Sequence, residues 1–236
     1  MGRSLSDTTH SIAESFAGCQ TTIVPESVRT LLGEAGIKTT QLVTAETSAA
    51  PLSVKHVPDS VLAESWSIYN DLARKLMLDE QISRENFKQV WRSLTQDIHY
   101  YLQTKNCSVY NLFSVNDTDT AERFIEYNIQ AEVQDIQPIF IFNSRGDRPL
   151  RTVSFIDLFS NKYPSVKIWF TGSGVLKKAQ KQLNGRYEYV KQAEIIRRIK
   201  NGFPEPVQIF CLGNFKGMEE LQSYLQRTSN QQKVHD

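Results

Sequence analysis

Cysteine is scarce in this 236-residue chain. There are three, Cys19, Cys107 and Cys211, far apart, odd in number and without a CxxC pair. That excludes a disulfide framework and a cysteine-built zinc site, and it points to a reducing, intracellular (cytoplasmic) compartment. The four histidines are scattered and form no HExxH. No apolar run reaches the roughly 18 residues of a membrane span, and the N-terminus has no signal-peptide core. "MGRSLS" has the outline of a myristoylation signal, but Arg3 directly after Gly2 is unfavourable for it. An excess of one charge is also missing: 27 basic residues face 26 acidic ones, which speaks against a nucleic-acid coat or an acidic tail. The P-loop GK[ST] is absent, and Lys177 stands where a dinucleotide fingerprint needs its third glycine.

What is present is an ordinary globular composition, 40% hydrophobic and 22% charged, enough for one sizeable core. Residues 1–58 read as a mobile N-terminal segment carrying a short helix at 25–36 and a linker at 44–58. From Asp59 to 105 the pattern is helical. Leu62, Trp66, Tyr69, Leu72 and Leu76 make one stripe, and Phe87, Val90, Trp91, Leu94, Ile98 and Leu102 make a second after Ser83. The two predict a helical hairpin whose aromatic residues serve as core.

Over 106–228 the period switches. Apolar runs at 108–115, 138–142, 166–170, 187–190 and 207–212 alternate with helical patterns at 119–133, 151–161, 175–183, 192–201 and 217–227. Such alternation predicts an α/β domain: a mostly parallel, Rossmann-like sheet with helices on both faces. A mobile tail is expected over 229–236. Ligands of parallel sheets bind at the carboxyl ends of the strands, which here read "VNDTDT", "FNSRGD", "FTGSG" and "CLGN".

The series "IFIFNSRGD…KIWFTGSG…VKQAEIIRRIK…QIFCLGNFKGMEEL" resembles the haloacid dehalogenase-like (HAD) phosphohydrolase superfamily over roughly 137–226. The resemblance places Thr171 at the phosphoryl-binding hydroxyl, Lys191 at the charge-neutralising lysine, Gly213 at the glycine of the last motif and Glu219 at its distal acid. It also places Asn143 at the nucleophile, Arg145 at the acid/base and Asn214 at a magnesium ligand. A neutral amide is a poor nucleophile and a poor ligand for a hard cation, and a guanidinium does not shuttle protons. The resemblance therefore implies a catalytically degenerate domain without cofactor, acting as a binding or assembly module whose partner is another protein or a protein complex.

Two other functions compete. Asp117 and Asp119 form a literal DxDxT with Thr120, and with Thr171, Lys191 and Glu219 they make an Mg²⁺-dependent phosphohydrolase, Asp117, Asp119 and Glu219 holding the metal. The same aspartates also suit a helix cap before Ala121. Residues 165–202 hold nine Lys/Arg, among them Lys177, Lys178, Lys181, Arg197 and Arg198, against Glu188 and Glu194. That basic patch would suit nucleic acid, an acidic protein or simply solvent. Finally, the turn Thr171, Gly172, Ser173, Gly174, with Lys191, is a candidate phosphate- or anion-binding site, or else only a tight strand-to-helix turn.

Overall fold

A computed structural model of the chain describes residues 22–24, 29–30, 32–33, 42–44, 49–102, 105–115, 117–131, 136, 138–173, 181–183 and 185–233. The predicted helix at 25–36 and the expected mobile stretch before Thr22 fall largely outside these residues, as do Cys19 and most of the predicted helix at 175–183. The chain divides into two compact units, Met1–Ser93 and Leu94–Asp236.

In the first unit, β1 (Thr22–Val24) and β2 (Leu42–Thr44) pair in parallel, a feature the sequence reading did not anticipate. Helices α1 (Asp59–Lys75) and α2 (Glu80–Thr95) follow as expected. Met77 ends the first with a positive φ of 54° while the Leu78 amide reaches back to the Ala73 carbonyl. Trp66 meets Phe87 edge-on at 5.0 Å, and Tyr69 lies 5.6 Å from Phe87. Trp66 and Phe87 are buried, Trp91 is half-buried, and Leu72 and Leu94 are exposed. The aromatic core is thus real but smaller than the two stripes implied.

The second unit begins with a correction. The helix drawn through Leu102 stops at Thr95, and His99–Leu102 is a strand, β3, antiparallel to β4 (Cys107–Asn111). Leu94, Ile98 and Leu102 fit a four-residue step, but "HYYL" is rich in strand-forming side chains and finds a ladder to join. After α3 (Thr118–Gln130) come β5 (Pro138–Ser144), α4 (Pro149–Lys162), β6 (Lys167–Gly172) and β7 (Tyr187–Tyr189). The chain then runs through α5 (Gln192–Asn201), β8 (Val207–Gly213) and α6 (Glu219–Lys233). That last helix occupies 229–233, where a mobile tail was expected.

The sheet order is β3-β4-β8-β5-β6-β7, parallel except for β3, so the α/β expectation with helices on both sides holds. Alternation along each strand gives the two faces different chemistry. Phe140, Phe142, Phe170 and Phe210 join Phe155 and Phe159 of α4 in an aromatic layer. On the other face Ile141, Ile209 and Cys211 pack with Ile195 and Ile199 of α5 and Leu221 and Leu225 of α6. Each fully buried side chain of this size contributes about 1.5–3 kcal/mol. The central strand β5 is covered on both sides, and its last two residues, Asn143 and Ser144, carry the polar side chains at the rim.

Candidate functional site

The carboxyl ends of β5, β6 and β8 meet around a cleft of about 280 Å³. Its walls are Asn143, Ser144 and Arg145 at the end of β5, Thr171, Gly172 and Ser173 at the end of β6, and Lys216 and Gly217 after β8. Two glycines make the close approach possible. Gly172 has φ +90°, and a Cβ there would stand 2.1 Å from the Ser144 carbonyl oxygen; Gly213 has φ +94°, and its Cβ would stand 2.4 Å from that of Asn143. Only glycine tolerates both the sign of φ and the space.

The strand ends are tied by specific donors. Asn143 Nδ2 donates to the carbonyls of Asn214 (2.5 Å) and Lys216 (3.0 Å), while the Asn214 amide donates back to the Asn143 carbonyl at 3.0 Å. Ser144 Oγ donates to the carbonyls of Thr171 and Ser173 at 3.2 and 3.4 Å. Arg151, from the first turn of α4, donates to the carbonyls of Val115 (2.8 Å) and Gly213 (2.6 Å) and to Asn214 Oδ1. Burial, and then the like charge of Arg148, lower its guanidinium from the ordinary value, with Asp117 acting in the opposite direction. Tyr189 donates its hydroxyl to the Gly172 carbonyl at 2.6 Å. Gln192, its amide oriented as its neighbours require, donates to the Gly217 carbonyl and accepts from the amides of Glu220 and Leu221 at the start of α6.

These contacts fix the sequence candidates in place. Thr171, Gly172 and Ser173 line the cleft together, and Gly174 lies outside the described residues. Lys191 is the cap residue of α5 and does not line the cleft, whose lysine is Lys216. Asp117 caps α3, its carboxylate accepting the Thr120 amide at 2.7 Å, and Asp119 sits in the first turn of that helix. Neither lines the cleft. Glu219 accepts the Gly217 amide on both oxygens at 3.0 Å, and the Gly217 and Glu219 amides hold its carboxyl below the usual range. Among the described residues no three His, Cys, Asp or Glu side chains gather as a metal site requires.

In the basic patch, Arg198 grips Glu188 with both terminal nitrogens, reaches Glu194 and lies 5.0 Å from the Trp169 ring centroid. Arg197 also pairs with Glu194, whose carboxyl is held down to about 2 by the two arginines. Lys177 and Lys178 lie outside the described residues; Lys181 is exposed. The two arginines of α5 are thus paired with acids. The residues the sequence reading missed are Ser144, Arg151, Tyr189, Gln192 and Lys216. Their only linear signal is position: Ser144, Gln192 and Lys216 follow an apolar run, Tyr189 lies within one and Arg151 opens a helical pattern.

Fold and rim together define a Rossmann-like α/β domain with a donor-lined cleft at its strand ends. The model of the poly-gamma-glutamate synthase CapB C-terminal domain matches residues 98–228, more than half of the chain, and the chain belongs to that family. A search among curated proteins gives no match. The family match overturns the resemblance to the HAD superfamily, for which no model matches. The geometry supplies a physical reason. Asn143 uses its amide hydrogens on two carbonyls, which an ionised aspartate has no means of doing, and Arg145 is turned onto Asp147 at 2.5–2.9 Å. Strand-end glycines and hydroxyls belong to parallel sheets in general, so their order alone did not discriminate between families. The phosphohydrolase built on Asp117 and Asp119 loses its basis with that resemblance. No described helix is long and apolar enough to cross a membrane.

Proposed function

We propose that this chain is an anion-recognising module of poly-gamma-glutamate synthesis. Its α/β domain holds a carboxylate of the glutamate substrate or polymer in the strand-end cleft and works within a synthetic assembly. The observation that carries this reading is the cleft's composition: hydroxyls of Thr171 and Ser173, the cation of Lys216, Arg145 with its charge shared by Asp147, backbone at Gly172 and Gly217, and, among the described residues, no lining carboxylate. Donors of this kind recognise an anion without a metal. Joining glutamates requires an amine and an activated carboxyl brought together, and a module that fixes carboxylates supplies the orientation such a step needs. Among the described residues the cleft is lined by donors and cations, the groups of a binding role, and in this reading the bond-forming groups come from elsewhere in the assembly. A cytoplasmic location goes with this reading and suits the free, buried Cys107 and Cys211. The pairing of Arg197 and Arg198 with acids counts against nucleic acid as the ligand.

The test is an amide NMR titration with γ-linked diglutamate at low ionic strength. Shifts should concentrate at Gly172, Ser173 and Gly217, and Lys216→Gln should weaken binding about tenfold. Equal binding of the neutral γ-linked diglutamine, or no response at these amides, would sink the proposal.

A further inference from the structure

The helical hairpin of the first unit leaves apolar surface that its own core does not use. Of the twelve exposed large hydrophobic side chains among the described residues, five stand within eleven positions around its turn: Leu72, Leu76, Met77, Leu78 and Ile82. Leu72 and Leu76 are one turn apart on α1, Met77 and Leu78 make the connection, and Ile82 is in the first turn of α2. Apolar residues scattered over a surface need no explanation, but a cluster does. Together the five expose about 600 Å², the upper end of the largest patch that an ordinary monomer shows.

The inward stripe of the hairpin is already filled by Trp66, Ala73, Ser83 and Phe87, all buried. Met77 closes α1 where the chain turns left-handed. Its amide reaches the Arg74 carbonyl at 3.0 Å, and the Leu78 amide reaches that of Ala73 at 2.9 Å. Glycine or asparagine fits such a turn with least strain. Methionine stands there instead, at a φ of 54° and 93% exposed, so its side chain serves neither the turn nor the core. A local rule broken without internal gain marks a functional position.

Charge selects the occupant. Arg74 and Lys75 end α1, Asp79 precedes α2 and Glu80 opens it. The rim of the patch is thus neutral in sum and split in sign. An anionic bilayer would meet both carboxylates, and a partner of one sign would be opposed by half of the rim. A second copy turned about a two-fold axis brings the acids of each rim to the bases of the other. Glu80 also pairs with Arg84 at 2.8 Å, but both are exposed and such a pair contributes little, so it does not hold the carboxylate from a second cation. Area agrees with this choice: two patches face to face bury about 1,200 Å², the lower bound of a specific interface.

We infer that the turn end of the hairpin is a homodimer interface, in which Leu72, Leu76, Met77, Leu78 and Ile82 of two copies pack around a two-fold axis. The interface stands whether or not the strand-end cleft takes an anion.

The experiment is sedimentation of the full chain under reducing conditions, over about 1–200 µM. Its mass should rise from 27.0 kDa toward twice that value, with a Kd of about 10 µM, as suits an interface of this size. Met77→Gly should weaken association about tenfold, while the melting temperature of the dilute chain holds or rises because glycine relieves the turn. Val90→Gln, at an exposed apolar position farther along α2, should change nothing. A chain that stays monomeric overturns the interface. So does a dimer that Met77→Gly leaves intact, or that Val90→Gln weakens as much. Lys75→Glu, which turns the rim acidic, should weaken association about threefold at low salt. No change in that variant overturns the two-fold pairing of charge on which the choice of a second copy rests. Binding of a monomeric chain to vesicles of phosphatidylcholine and phosphatidylglycerol, lost in Met77→Gly, would assign the patch to a lipid surface and overturn the dimer.

Discussion

The two flanks of β5 solve one problem with different bonds. Toward β8, Gly213 and Asn214 are held by the Asn143 amide, by the Arg151 guanidinium and by a backbone bond, at 2.5–3.2 Å. Toward β6, Thr171 and Ser173 are held by the Ser144 hydroxyl at 3.2 and 3.4 Å, Ser173 also by a 3.2 Å backbone bond, and Gly172 by the Tyr189 hydroxyl from the edge at 2.6 Å. The first flank is a charged and amide-built clamp. The second is a set of neutral hydroxyl contacts, long at Ser144 and short only at Tyr189. Charge-assisted bonds are roughly twice as strong as neutral ones, so the β8 side is the fixed wall of the cleft and the β6 side the adjustable one.

The strongest way to break that contrast is at the glycines. Gly213→Ala and Gly172→Ala should each cost about 3 kcal/mol or more, from positive φ and from contact with backbone. Contact distance alone makes Gly172 the worse position, since 2.1 Å is tighter than 2.4 Å. The bond inventory makes Gly213 the worse one, because moving it also displaces the carbonyl that Arg151 holds. We expect the larger loss at Gly213 in urea unfolding of the two variants. The reverse order would mean that local contact, and not the clamp, governs the rim.

A smaller effect separates the side chains themselves. Asn143→Asp puts a carboxylate against the carbonyls of Asn214 and Lys216 and removes both donated bonds, for a loss of about 2–3 kcal/mol. Ser144→Ala removes two long contacts and should cost about 0.5–1 kcal/mol. The ratio between the two variants, measured under the same denaturant conditions, sharpens the comparison. Equal losses would remove the distinction between fixed and adjustable walls.

How much of this was readable from the chain differs by kind. The strands β4 to β8 and α5 were legible, because runs such as "FIF" and "VQIFCL" are buried on both faces and leave continuous apolar stretches. Strand β3 was not, since Leu94, Ile98 and Leu102 fit a helix as well as they fit the end of one and the start of a strand. At the rim, Gly172, Thr171 and Ser173 stood out because their local chemistry is unusual. Asn143 and Asn214 were noticed for the wrong reason, as lost carboxylates rather than as amides that must donate. Lys216 and Arg151 escaped notice, because their roles depend on β8 lying beside β5, and neighbour order in a sheet is not written in any local pattern.

The smallest effect is a dependence on pH that should appear on one flank only. Glu219 closes the turn after β8 by accepting the Gly217 amide on both oxygens, and its carboxyl lies below the ordinary value of 4.5, chiefly through that bond. A folded-state pKa below the unfolded one contributes stability that is complete above about pH 4.5 and fades as pH falls through the folded value. The sign is therefore loss on acidification. The carboxylate is fully exposed, so the effect is local, a faster opening of the Gly217 amide rather than unfolding. On the β6 flank, among the described residues, the Gly172 and Ser173 turn is held by hydroxyl and backbone groups and by no carboxylate. Amide hydrogen exchange followed from pH 6 to pH 3, and corrected for the intrinsic rate, should show protection falling at Gly217 and steady at Ser173. In Glu219→Gln the Gly217 amide should lose its pH dependence and keep part of its protection, since a neutral amide oxygen still accepts. Parallel loss at both turns would mean that the rim loosens as one piece and that the two walls of the cleft are not independent.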